Sequence, residues 1–183
     1  MHPYSKNKTE LFRDGWTILK NIFSIREVKE IRKKAKSIES IESINSDVLT
    51  NPALGNIVYD YRIINAIEYL LDGSICYFGE GRLLIETVNG RKGGAFHRDN
   101  PDRHEPNGPD WKSKYDVVRI GIYLEDHKHH AEGLGLFSGS NKNPTYLPKS
   151  LALPDNAPMT PGDILVWTLT TMHVGYPKKL KFL

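Results

Sequence analysis

The chain has 183 residues, 39% of them hydrophobic and 26% charged, with a formal net charge of +3. That length suits one domain with a proper core, and so mild a charge argues against a nucleic-acid-binding surface. A single cysteine, Cys76, excludes an internal disulfide, which fits a reducing compartment and a small buried apolar role for that residue. No apolar leader opens the chain and no stretch approaches a membrane span, so the expectation is a cytoplasmic protein with no membrane and no nucleic acid among its partners.

In chain order, residues 24–38 carry the first strong helix signal. Ser24 and Glu27 form a capping box, Phe23 is placed to staple onto Val28, and Val28, Ile31, Ala35 and Ile38 recur at helical spacing. The basic residues off that stripe read as a solvated face. A second helix is predicted over 63–71, stopped by Asp72-Gly73. After Gly73 the period becomes strand-like, with candidate strands at 75–79, 83–88, 95–98, 117–124, 134–137 and 163–169. Helices first and strands afterwards imply an α+β fold with a sandwich or barrel core.

The stretch Phe96-His97-Arg98-Asp99-Asn100 is the chemical focus. On a strand, His97 and Asp99 share one face while Arg98 turns away. An imidazole and a carboxylate so placed need one further imidazole to complete a two-histidine, one-carboxylate facial triad, the ligand set of non-haem iron sites. His173, just beyond the apolar strand 163–169, is the candidate third ligand. By itself a histidine in that position is more often a satisfied core residue.

Other segments are weaker. In 117–124, Val118, Ile120, Ile122 and Leu124 form one face, while Arg119, Gly121 and Tyr123 form the other, which lines either solvent or a polar interior. Residues 100–116 read as a lid-like loop in which Arg103, His104, Trp111 and Lys112 could meet a substrate. His127, His129 and His130 read as a solvated loop. The glycines of 90–94 lack the Gly-Lys-Ser/Thr ending of a phosphate cradle, and Ser138 and Ser140 lack a nucleophile-elbow setting.

Four stretches together resemble the phytanoyl-CoA dioxygenase family of Fe(II)/2-oxoglutarate oxygenases. They are Phe12-Arg13-Asp14-Gly15-Trp16, the His97-x-Asp99 motif, Tyr123-Leu124-Glu125-Asp126 with the turn Ser138-Gly139-Ser140-Asn141-Lys142, and Pro161-Gly162-Asp163 leading to His173. Ser138 stands where that family usually has Pro, and Asn141 where it has His. The resemblance implies a double-stranded β-helix (jelly roll, cupin-like) with N-terminal helices packed outside. It further implies His97, Asp99 and His173 as iron ligands, with Fe(II), 2-oxoglutarate and O₂ hydroxylating a small-molecule substrate and yielding succinate. The family's usual arginine for the cosubstrate's distal carboxylate lies about ten residues past the distal histidine. Here only Lys178, Lys179 and Lys181 follow. The expectation is therefore a single domain over 1–183 whose closing strand falls after residue 183, with Arg119, beside Tyr123 and with Thr87 as a weaker candidate, binding the cosubstrate. The competing expectation is a non-catalytic, cupin-like metal- or ligand-binding domain.

Overall fold

Ser24 starts the longest helix as its sequence requires. Its hydroxyl accepts from the Glu27 backbone N–H, and the Glu27 carboxylate accepts from the Ser24 backbone N–H at 2.8 Å. In this computed structural model, residues 2–38, 47–83, 96–99, 105–112, 117–126, 133–146 and 155–176 are described. The elements are α1 (Ser5–Asp14), β1 (Trp16–Leu19), α2 (Ile25–Lys36), α3 (Tyr61–Leu71), a short α4 (Pro109–Lys112), β2 (Val118–Ile122), β3 (Gly133–Leu136), β4 (Asp155–Asn156), β5 (Ile164–Thr168) and β6 (His173–Tyr176). No helix among them is long and apolar enough to cross a membrane.

The strands form two antiparallel sheets, ordered β1-β5-β2 and β4-β3-β6. Cross-strand partners share a face, so the register sorts the first sheet into two sides. Leu19, Ile164 and Ile122 align on one side, with Thr17, Val166 and Ile120; Trp16, Trp167 and Arg119 align on the other, with Ile18, Leu165 and Gly121. The first side packs on the helices, where Leu11, Val28, Ile63, Ala66, Ile67, Leu70, Ile164 and Val166 bury together. The second side meets the other sheet through Leu165, Leu136, Ala157 and Met159, flanked by Trp16, Tyr123 and Trp167. Helices, first sheet and second sheet are thus three successive layers, each held by apolar burial.

Several expectations need correction. No strand forms at 75–79: Tyr77 and Phe78 are exposed, and Gly79 and Glu80 take positive φ values of 96° and 63° that break an extended run. The segment 95–98 is reduced, among its described residues, to one bridge at His97. Of 83–88 only residue 83 is described. Cys76 is exposed rather than buried. Helices α1 and α4 and strands β1, β4 and β6 add to the predicted elements. A strand of four residues such as β1 gives too short a run for alternation to show.

The Asp14-Gly15 turn has a specific role. Gly15 closes α1 at φ +86°, and a Cβ there would lie 2.3 Å from the Thr171 Oγ1 and 2.8 Å from the Asn141 side chain. Its carbonyl accepts from the Thr171 hydroxyl at 2.9 Å and from the Thr168 N–H. The start of the chain is thereby docked onto the turn that delivers His173. Trp16 adds a second tie, its indole N–H donating to the Ser138 hydroxyl at 2.9 Å. A proline at that position has no hydroxyl to accept this bond.

Candidate metal centre

His97 and His173 are direct cross-strand partners. The N–H of each donates to the carbonyl of the other, at 3.0 and 2.9 Å, and the rings lie 4.5 Å apart centre to centre. Reciprocal bonds of this kind fix both Cα positions tightly. One residue past the turn of Arg98, Asp99 returns to the same side. Ligand atoms of His97, Asp99 and His173 all lie within 4.8 Å of one another, the one such cluster among the described residues.

One nitrogen of His173 is committed to the backbone: its Nδ1 lies 3.0 Å from the Thr171 carbonyl, which can only accept, so Nδ1 donates there and Nε2 is the atom turned to the site. That Nε2 faces Asp99 Oδ1 at 3.4 Å. Two ligand atoms each about 2.1 Å from one first-row ion lie about 3.0–3.4 Å apart at octahedral to tetrahedral angles. The pair therefore has the separation that a shared cation requires.

The second oxygen of Asp99 has a different neighbour. Its Oδ2 is 2.9 Å from Arg119 Nε, close enough for an ion pair but off the line of a hydrogen bond. Arg119 Nη2 is 2.9 Å from Glu80 Oε2. Burial pushes the Asp99 carboxyl pKa up, but His173 and Arg119 outweigh it and hold the group below its ordinary value. The centre is thus prepared to keep a carboxylate.

Among the described residues, four buried side-chain polar atoms lack a well-formed hydrogen bond: Asp99 Oδ2, Arg119 Nε, Trp167 Nε1 and Asn141 Oδ1. Three of them converge on this centre, since the Trp167 indole also faces the Asp99 carboxylate and lies 5.9 Å from the His173 ring. Orphaned polar groups are costly in a folded interior and are tolerated where a site needs them. Two imidazoles and a carboxylate fit a divalent first-row cation, while the Arg119 and Trp167 N–H donors can serve only the carboxylate or an anion beside it.

The predicted site residues separate cleanly. His97, Asp99, His173 and Arg119 come together. Tyr123 lies on the inner side of the first sheet, where Tyr123 and Trp167 approach the position a Gly121 side chain would fill, at 3.1 and 3.3 Å. The space beside Gly121 is therefore filled by rings. Thr87, the glycines of 90–94, Arg103, His104, His127, His129, His130 and the lysines beyond residue 176 lie outside the described residues. Sequence reasoning missed three contributors: Arg98, Trp167 and Glu80. For Trp167 the signal was present, because it follows Leu165 by two on the same face.

No family model matches the chain, and no curated protein matches it by sequence. Solved structures do resemble it. EctD from S. alaskensis in its apo form superposes with a TM-score of 0.70 at 17% identity, over 94% of this chain and 70% of that one. AviO1 from Streptomyces viridochromogenes Tue57 gives 0.70 at 14% identity, over 97% and 89%. SnoN, a non-haem α-ketoglutarate-dependent epimerase from nogalamycin biosynthesis, gives 0.65 at 17%, over 96% and 76%. Other EctD structures hold Fe, or 2-oxoglutarate with 5-hydroxyectoine. The chain shares the fold of these proteins.

Proposed function

We propose that the protein is a non-haem Fe(II)- and 2-oxoglutarate-dependent oxygenase acting on a small organic molecule, with its two sheets forming the double-stranded β-helix of that class. The observation that carries this reading is the convergence of His97, Asp99 and His173, two imidazoles and one carboxylate, within 4.8 Å of one another. Shared fold with proteins whose structures hold Fe and 2-oxoglutarate supports it. When bound, iron with 2-oxoglutarate and O₂ supplies oxidative decarboxylation of the cosubstrate to succinate and oxidation of the substrate.

The chain's own residues do the holding and orienting. His97 and His173 offer imidazole nitrogens, and the Thr171 carbonyl orients the ring of the second through its Nδ1. Asp99 offers one oxygen toward His173 and leaves the other to Arg119. For the cosubstrate the proposed residues are Arg119 and Tyr123, on the inner side of β2 and just beyond it, with Thr87 the weaker candidate from the sequence. The fork of Arg119 suits a carboxylate. Its test uses protein saturated with metal: Arg119→Ala should then weaken 2-oxoglutarate binding, and unchanged affinity rejects this role.

Supplying Fe(II), 2-oxoglutarate and O₂ to the purified protein should generate succinate even without a substrate, and His173→Ala should abolish it. Hydroxylation is the proposed outcome for the substrate, and product analysis distinguishes it from the epimerisation carried out by SnoN. Iron binding with no succinate from wild type would instead indicate a non-catalytic metal-binding domain.

A further inference from the structure

Arg119 sits between two carboxylates, and the difference between them is informative. Asp99 is nearly buried and belongs to the proposed metal ligands. Glu80 is more than half exposed and belongs to no cluster of metal-ligating groups among the described residues. The loop that carries Glu80 is elaborately fixed for a surface turn. Asp47 accepts from the Tyr77 hydroxyl at 2.7 Å and from the Gly81 N–H at 3.1 Å, and the Tyr77 oxygen accepts from the same Gly81 N–H. Between these anchors Gly79 and Glu80 adopt positive φ. A non-glycine residue in that region is strained and persists where its surroundings hold it. The result is a carboxylate held against Arg119 Nη2 at 2.9 Å.

We infer that Arg119 is a positioning residue for the metal centre, pinned from outside by Glu80 so that Asp99 presents a single oxygen to the cation. This rests on the metal-binding reading given above. With Nε against Asp99 Oδ2, the guanidinium engages the oxygen that does not face His173. Without it, both oxygens could turn to the ion or the carboxylate could rotate away. Groups in this outer position commonly set metal affinity by 10- to 100-fold.

Electrostatics alone makes the opposite forecast, which renders the inference testable. A bystander cation beside a metal site repels the ion, so removing its charge should tighten binding. A positioning cation should weaken binding when removed. Anaerobic Co(II) titration of the full chain, without 2-oxoglutarate, separates these and also excludes any effect through the cosubstrate. Arg119→Gln is expected to bind Co(II) about 10- to 100-fold more weakly than wild type, with a changed visible spectrum as Asp99 loses its one-oxygen geometry. Arg119→Lys keeps the charge but not the fork, and should recover only part of that loss.

Glu80→Gln, on an exposed loop, tests the outer half in a variant that folds. It should weaken Co(II) binding several-fold, and the Arg119→Gln, Glu80→Gln double variant should bind no worse than Arg119→Gln alone, because Glu80 acts through Arg119. Unchanged or tighter binding in Arg119→Gln, or additive losses in the double variant, overturns the inference. Wild type that takes up no Co(II) overturns the metal-centre reading itself, a different failure.

Discussion

Arg98 Nε donates to the Thr170 carbonyl at 2.8 Å, joining the residue between His97 and Asp99 to the turn that precedes His173. Its Nη2 donates to the carbonyls of Asn143, at 3.0 Å, and Ser140, at 3.3 Å. The guanidinium is buried, and burial lowers its pKa. It also lies 5.4 Å from the Trp111 ring centre, so the 105–112 segment rests on the same side chain. Three separate backbone segments around the candidate centre therefore meet at one cation. Replacing it with methionine would take the guanidinium donor from the Thr170 carbonyl and the second donor from the Asn143 and Ser140 carbonyls, which also accept from the Tyr146 and Asn143 N–H groups.

Arg98→Met should accordingly cost about 2–4 kcal/mol in urea unfolding and weaken metal binding together with stability. Arg98→Lys, one donor group in place of a fork, should fall between the two. A methionine variant as stable as wild type contradicts the clamp.

Gly15 gives a second test, at the opposite end of the chain. Gly15→Ala places a methyl against Thr171 Oγ1 at a strained φ of +86°. More than about 1 kcal/mol should be lost, and because Thr171 orients His173 through its carbonyl, metal affinity should fall too. Thermal unfolding and Co(II) titration on the same variant check both halves.

Asp163 supplies the pH dependence. It is fully buried, accepting from the Asn21 N–H, the Lys20 ammonium, and the Thr160 N–H and hydroxyl. Burial pushes its pKa up, but those donors outweigh it and hold the carboxyl below its ordinary value. A depressed folded pKa means stability that is complete above the unfolded value of about 3.9 and is lost as pH falls through the folded one. Asp163→Asn should cost about 2–3 kcal/mol at pH 7, and its gap from wild type should close as the pH drops below about 4. Urea midpoints at pH 7, 5 and 3 measure this; a gap that stays constant to pH 3 rejects it.

Ser24→Ala is the contrasting case. The capping box and the Glu27–Arg62 pair lie on the helical layer, away from the candidate centre. The change should cost about 1 kcal/mol and leave metal affinity alone. A parallel loss of affinity would mean that the helices, not the turns, set the geometry of the centre.

The residues most legible in the sequence were those whose pattern is local. The capping box at Ser24, the alternation of 117–124 and the apolar run of 163–169 each declare their structure within a few neighbours. His97 and Asp99 were legible for the same reason, being two apart. What stayed hidden depends on distant partners. The β6 strand that begins at His173 exists through pairing with β3 and His97, and the Arg98 clamp through carbonyls more than forty residues away. Residues 75–79 misled because Ile75, Tyr77 and Phe78 have strand-type side chains, while the positive φ that follows ends any extension. No local pattern could have assigned Glu80 to Arg119, 39 positions apart.

The most direct test of the central claim is anaerobic titration of the apoprotein with Fe(II) and then 2-oxoglutarate, followed by visible charge-transfer absorption of the chelate. The His97→Ala, Asp99→Ala double variant is the control. A band in wild type that is missing in the variant is the expected result, and establishes metal and cosubstrate at the His97, Asp99 and His173 cluster. Absence of iron binding in wild type, or an equal band in the variant, would contradict it.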